Sequence, residues 1–371
     1  MMARLGDVAT YINGYAFKPT DWSNEGIPII RIQDLTGNSY QANRYNGKYD
    51  PKYEVNYGDV LISWSASLGV YVWTGETAVL NQHIFKVQFD KADVDKDFFV
   101  HQVECILNNA SSEAHGATMK HLTKPVFDAL PFYLPNIEEQ KIIANELNKV
   151  SKLISLRKQQ LSKLNELVKS RFIELFGDYD LSHTQSDWKP ISEIGKVVGG
   201  ATPKTNIEEY WDGEYRWITP AELDADSGYI YDSVRKLTKA GVDSCSLQEM
   251  PIDTVILSSR APIGKVAIAG NTFYCNQGFK NIICNNEVLP RYLYTVLLLN
   301  TEYLNSLGRG ATFKEISKSI VENIRIPVPS IELQKQFTAF VEQVDKSKSE
   351  IQKSLEKLET LKKALMQKYF G

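Results

Sequence analysis

The chain has 371 residues, 43% hydrophobic and 23% charged, with 42 Lys and Arg against 45 Asp and Glu. That length allows two or three domains with cores of their own, and the composition excludes wholesale disorder. Nearly balanced charge excludes a generally basic nucleic-acid binder. Four scattered cysteines (Cys105, Cys245, Cys275, Cys284) fit buried free thiols in a reducing compartment better than disulfides or zinc ligands.

Met1-Met2-Ala3-Arg4 leads into a short amphipathic helix pattern rather than a signal peptide, and the most apolar stretch, 293–299, is too short to span a bilayer. A soluble cytoplasmic protein is expected. Val60–Ser63, 70–73 and 84–89 are rich in β-branched and aromatic residues and predict strands; 95–108 predicts a helix. Residues 138–176 contain neither Pro nor Gly and predict one long helix, with Asn136 as N-cap and Glu139 completing a capping box. Strands are then expected at 254–258, 265–269 and Lys280–Cys284, a helix at 290–305, and a second long helix at 332–370 behind Ser330. Gly69 and Gly264 mark strand reversals, and Gly116 and Gly310 open loops.

This list repeats itself because the chain does. His115-Gly116-Ala117-Thr118-Met119-Lys120 returns as Arg309-Gly310-Ala311-Thr312-Phe313-Lys314, and Pro135-Asn136-Ile137-Glu138-Glu139-Gln140-Lys141 as Pro329-Ser330-Ile331-Glu332-Leu333-Gln334-Lys335. Both blocks, and Leu175-Phe176-Gly177 against Tyr369-Phe370-Gly371, share an offset of 194. Asn81-Gln82 answers Asn276-Gln277 at 195. Several blocks in one order at almost one offset indicate an internal duplication.

A helix of roughly 39 residues is about 58 Å long and demands a partner. In the first helix the row Leu147, Ile154, Leu161, Val168, Leu175 is apolar, while Ile143, Val150, Arg157, Leu164, Arg171 is interrupted. In the second, Phe337, Val344, Ile351, Leu358, Leu365 is the clean row and Val341, Lys348, Leu355, Lys362, Tyr369 the interrupted one. A parallel pair would stack clean rows on interrupted ones; an antiparallel pair stacks the clean rows together. One register pairs Leu147 with Leu365, Ile154 with Leu358, Leu161 with Ile351, Val168 with Val344 and Leu175 with Phe337; a slip of one heptad stays open. The expected fold class is α+β: two similar mixed α/β domains, 1–137 and 179–331, joined by an antiparallel two-helix coiled coil, 138–178 and 332–371, with pseudo-twofold symmetry.

Along its whole length the chain resembles the specificity subunit of type I restriction-modification systems. The resemblance is carried by Gly199-Gly200-Ala201-Thr202-Pro203, Trp217-Ile218-Thr219, Ser259-Arg260-Ala261-Pro262-Ile263-Gly264-Lys265, Asn276-Gln277-Gly278-Phe279, Gly310-Ala311-Thr312 and the segment 327–335, in that order, together with the duplication. In the first copy Asn13-Gly14-Tyr15-Ala16-Phe17-Lys18-Pro19 replaces the Thr-Pro loop, and Trp64-Ser65-Ala66-Ser67-Leu68-Gly69 lacks the arginine. The resemblance implies a non-catalytic subunit with two target-recognition domains that read a bipartite, asymmetric double-stranded DNA sequence. It implies recruitment of two methyltransferase subunits, which methylate adenine with S-adenosylmethionine, and of two restriction subunits, which use ATP and Mg. No cofactor and no membrane partner is expected for this chain. In agreement, no Asn-Pro-Pro-Tyr motif, P-loop or metal-spaced histidine set is present in the sequence. Two other readings remain: the specificity subunit of a type II system that cuts on both sides of its site, and a non-enzymatic coiled-coil scaffold.

Residues 138–178 and 332–371 each hold 8 basic and 6 acidic residues, so the helices carry +4 and the rest of the chain −7 of the −3 total. Either basic residues cluster on one face, or partner subunits supply most phosphate contacts while this chain reads bases. The candidate readers lie on turns between strands: Lys18, Arg31, Gln33, Ser65, Gln82, His83, Thr118 and Lys120 in the first copy, and Lys204, Thr205, Ser259, Arg260, Gln277, Lys280, Arg309, Thr312 and Lys314 in the second. Arg on guanine and Gln on adenine are the expected base contacts. For each residue singly, a solvated surface role or a satisfied turn is the competing reading.

Overall fold

The computed structural model describes residues 1–38, 43–113, 123–223, 228–260, 262–309 and 314–371, the side chains of 111–113 excepted. The chain divides into two compact units, Met1–Gln159 with Gln352–Gly371, and Gln160–Ile351. This division runs through both long helices, Ile137–Phe176 and Ile331–Phe370.

In the first unit, four antiparallel strands lie in the order Thr10–Asn13, Ile84–Gln88, Val60–Ser63, Gly69–Val72. Val60, Leu61 and Ile62 are all buried, so this strand is apolar on both faces and shows no polar alternation. A second sheet runs Arg44–Tyr45, Ile27–Ile30, Ala78–Leu80, Glu54–Val55, and its middle pair is parallel. Met2–Arg4 pairs with Pro131–Tyr133. The helix Lys96–Glu113 follows the sheets.

The second unit repeats this plan. Its larger sheet runs Gly195–Gly199, Lys280–Cys284, Val255–Leu257, Val266–Ala269, with Tyr229–Ile230 added at the edge. Its smaller sheet runs Arg235–Leu237, Trp211–Ile218, Tyr274–Cys275, again with one parallel pair. Lys189–Pro190 pairs with Arg325–Ile326, as Met2–Arg4 does with Pro131–Tyr133. The core gathers Phe172, Phe176, Trp188, Tyr292 and Phe337, with Phe172 and Tyr292 stacked at 5.8 Å.

Within each unit the long-helix segments run antiparallel. In the first, Glu146 accepts from the Tyr369 hydroxyl and Lys158 meets Glu359 at 3.0 Å. In the second, Phe176 and Phe172 pack on Phe337, and Arg171 lies over Phe340. Leu147, Ile154, Phe337, Val344 and Leu365 are buried, whereas Leu161, Val168, Leu175, Ile351 and Leu358 are half-buried.

Three local expectations change. The Asn136 side chain does cap the first long helix, accepting from Glu139 N at 2.9 Å, but the Glu139 carboxylate accepts from the Tyr133 hydroxyl at 2.9 Å. The expected helix at 290–305 is two helices, Pro290–Leu299 and Thr301–Ser306. They break at Asn300, whose side chain bonds Leu181 N and Tyr179 O, tying a distant segment to the corner. Of the four free cysteines only Cys105 and Cys275 are buried; Cys245 and Cys284 are half-buried. The block with Gly116 lies outside the described residues, as do residues 310–313 of the block with Gly310.

Candidate nucleic-acid interface

The richest polar assembly of the second unit grows from the end of the strand Val255–Leu257. Ser258 Oγ donates to Pro262 O at 2.7 Å and accepts from Lys265 N at 2.9 Å, which closes the turn. Gly264 completes it at φ +85, a conformation that side chains rarely adopt. Ser259 is fully buried, its N–H on Gly278 O and its carbonyl accepting from Ile316 N. Arg260 follows on this fixed backbone, with its side chain 45% exposed. Its Nε donates to Glu315 Oε2 at 3.0 Å, and Lys280 Nζ meets Glu315 Oε1 at 3.2 Å and Ser259 Oγ at 3.2 Å. Arg309 exchanges both backbone hydrogen bonds with Glu315 and, like Lys314, exposes its side chain. Partial burial works to raise the Glu315 carboxyl, but the bonds from Lys280 and Arg260 outweigh it and hold the carboxyl below its usual range.

Beside it, the loop following Gly195–Gly199 is clamped. A Cβ on Gly200 would stand 2.0 Å from Cys275 O, so this close approach requires glycine. Trp217 Nε1 donates to Ala201 O and Trp211 Nε1 to Lys204 O. Thr202 Oγ1 donates to Gln277 Oε1 at 2.6 Å, which steers the exposed Gln277 amide; Lys204 and Thr205 are exposed on the same loop.

Among the described residues, the equivalent region of the first unit is aromatic rather than ionic. Ser63 Oγ donates to Ser67 O as Ser258 does to Pro262 O. Ser65, at the place of Arg260, is buried. Trp64 stacks on Phe85, touches the His83 ring at 4.9 Å and donates to Asn13 Oδ1 at 3.2 Å. Gln82 is half-buried and bonds Tyr15 O through its backbone. Arg31 is turned inward: its two terminal nitrogens reach the Asn43 side-chain oxygen at 2.7 and 2.9 Å, and its plane lies 5.4 Å from the Trp22 ring. Gln33 is half-buried nearby, and Lys18 is exposed.

The structure therefore brings Ser259, Arg260, Lys280 and Arg309 together and sets Gln277 beside Thr202. Thr118, Lys120 and Thr312 lie outside the described residues. Glu315 was not anticipated: an acid next to Lys314 reads as a solvated charge until the fold places it between Arg260 and Lys280. Trp64 and Asn13 were likewise invisible as partners, being 51 positions apart. Among the described residues there is no cluster of three or more His, Cys, Asp or Glu side chains suited to a metal, and no helix long and apolar enough to cross a membrane.

One α/β framework written twice, with different side chains on corresponding turns, defines a modular recognition fold. The chain belongs to the family of the type I restriction modification DNA specificity domain, whose model matches residues 1–166 and 185–363. The family is the recognition component of such systems, so the chain is of a non-catalytic class. It is 40% identical over 210 residues to the type I restriction enzyme MjaIX specificity subunit of Methanocaldococcus jannaschii, a match covering 55% of this chain and 48% of that protein. It is 23% identical over 404 residues to the EcoBI specificity subunit of Escherichia coli, covering 99% of this chain and 84% of that one. Its fold is similar to that of the type I S subunit from M. genitalium, with a TM-score of 0.58 at 17% identity, covering 100% of this chain and 96% of that chain. A chain from a structure of type I R-M complex assembly gives a TM-score of 0.59 at 17% identity, covering 100% and 97%.

Proposed function

We propose that this chain is the specificity subunit of a type I restriction-modification complex, reading a bipartite, asymmetric double-stranded DNA target with one recognition domain per part. The recognition domains are 1–137 and 179–331. The helical segments 138–178 and 332–371 form an antiparallel coiled coil that relates them as a pseudo-twofold pair and sets the spacing between the two parts. The subunit carries two methyltransferase and two restriction subunits, which hold S-adenosylmethionine, ATP and Mg, and it works in the cytoplasm. The observation that carries this reading is the recurrence of one framework with divergent turns: Arg260, Lys280 and Glu315 in one unit against Ser65, Trp64 and His83 in the other. Shared scaffolding with unlike chemistry at the turns suits a reader of two unlike half-sites.

Sequencing methylated adenines in the host with and without the gene tests it. Loss of one bipartite motif on deletion supports the reading; an unchanged methylome refutes it. A gel shift should show weak binding by the chain alone, given the −7 outside the long helices, and sequence-specific binding once methyltransferase is added.

A further inference from the structure

The contact between Arg260 and Glu315 has a particular geometry. The bond runs through Nε, and among the described residues the two terminal guanidinium nitrogens take no hydrogen bond. Glu315 is itself anchored. Its other oxygen is held by Lys280, whose side chain is 13% exposed and which also donates to Ser259 Oγ. Ser259 is fully buried, with its N–H and C=O bonded to Gly278 and Ile316. Backbone bonds to Arg309 fix Glu315 from the far side. A chain of paired groups thus leads from the interior to one half-exposed guanidinium.

An unheld surface arginine must surrender its rotamer freedom when it docks; one held at Nε presents its terminal fork already oriented. Such a fork fits two adjacent acceptors on one edge, as on guanine in the major groove. Among the described residues of the first unit Ser65 occupies the position of Arg260 and is buried. We propose that Glu315 is a specificity-determining positioning residue: it holds Arg260 by Nε so that the guanidinium fork reads a two-acceptor base edge in the part of the target assigned to the second unit. This rests on the specificity-subunit reading above.

The test uses the full chain assembled with its methyltransferase, comparing the wild type with Glu315→Ala, Arg260→Lys and the double variant. Arg260→Lys keeps the charge and removes the fork, so it stands in should Glu315→Ala fail to fold. The readouts are the methylated motif, the salt dependence of DNA binding and the melting curve. Each single variant should relax the same one position in one half-site by about tenfold or more, with the salt slope unchanged and the double variant no worse than either. A fallen melting temperature with an intact motif makes the pair structural only and overturns the proposal. So does a uniform loss of affinity across all sequences with no position relaxed, which marks a phosphate contact. Different relaxed positions for the two residues would make Glu315 itself a base reader and overturn it as well. A wild-type complex without sequence-specific methylation would instead refute the specificity-subunit reading, and the proposal with it.

Discussion

Gln140 and Gln334, 194 positions apart, make the same three hydrogen bonds. Gln140 Nε2 donates to Pro135 O and Asp93 O, and its Oε1 accepts from Asp95 N. Gln334 Nε2 donates to Pro329 O and Glu287 O, and its Oε1 accepts from Leu289 N. Both are buried at the start of a long helix and tie it to the segment entering an earlier helix, Lys96–Glu113 in the first unit and Pro290–Leu299 in the second. The repeated Gln-Lys block is therefore a structural joint between each long helix and the rest of its unit.

Removing that joint should be costly, because three backbone groups lose their partner away from water. Gln334→Leu is expected to destabilise the second unit by about 2–4 kcal/mol, and Gln140→Leu the first by a similar amount. Amide hydrogen exchange resolved by unit checks it: protection should fall in the unit that carries the change.

The apolar rows of the long helices should not contribute evenly. Leu147 is fully buried, so Leu147→Ala should cost about 2–5 kcal/mol. Leu161 is half-buried and the same truncation should cost clearly less. Urea unfolding of the two variants beside the wild type measures the difference; equal losses would contradict the burial pattern.

In the second unit Arg291 is buried between Asp345, at 2.6 Å, and the Tyr229 and Tyr294 rings, at 4.8 and 5.6 Å. Asp345→Ala strands a buried guanidinium and should cost about 3 kcal/mol, the low end for such a break because the Asp345 side chain is 38% exposed. The double change Arg291→Met with Asp345→Ala should recover much of that, which a denaturation series will show.

Acid should weaken the first unit through Glu104. The His101 ring at 3.9 Å lowers its carboxyl, partial burial opposes this, and Lys362 at 3.0 Å lowers it further, leaving it below the usual carboxylate range. A folded-state pKa below the unfolded value of about 4.3 gives stability that is present above that value and lost as pH falls through the folded one. Glu104→Gln should therefore flatten the acid limb of stability below about pH 5 while leaving its shape near neutrality unchanged.

The duplication, the strands Val60–Ser63 and Lys280–Cys284, both long helices and their antiparallel preference were legible in the chain, because they rest on local composition and periodicity that a sequence displays directly. The short strands of the first 55 residues were not, since two- to four-residue strands such as Arg44–Tyr45 carry no period and exist only because a neighbour pairs with them. Nor was the break at Asn300, which depends on a segment more than a hundred positions away. The same holds for the candidate interface. The turn that carries Arg260 and the strand that starts at Lys280 could be read from the chain, but that Arg31 folds inward onto Asn43, and that Glu315 stands between Arg260 and Lys280, was decided only when sheets from distant segments closed. Periodicity is written along one dimension, whereas a charge's role depends on which groups share its few ångströms of space, and only the tertiary structure sets that.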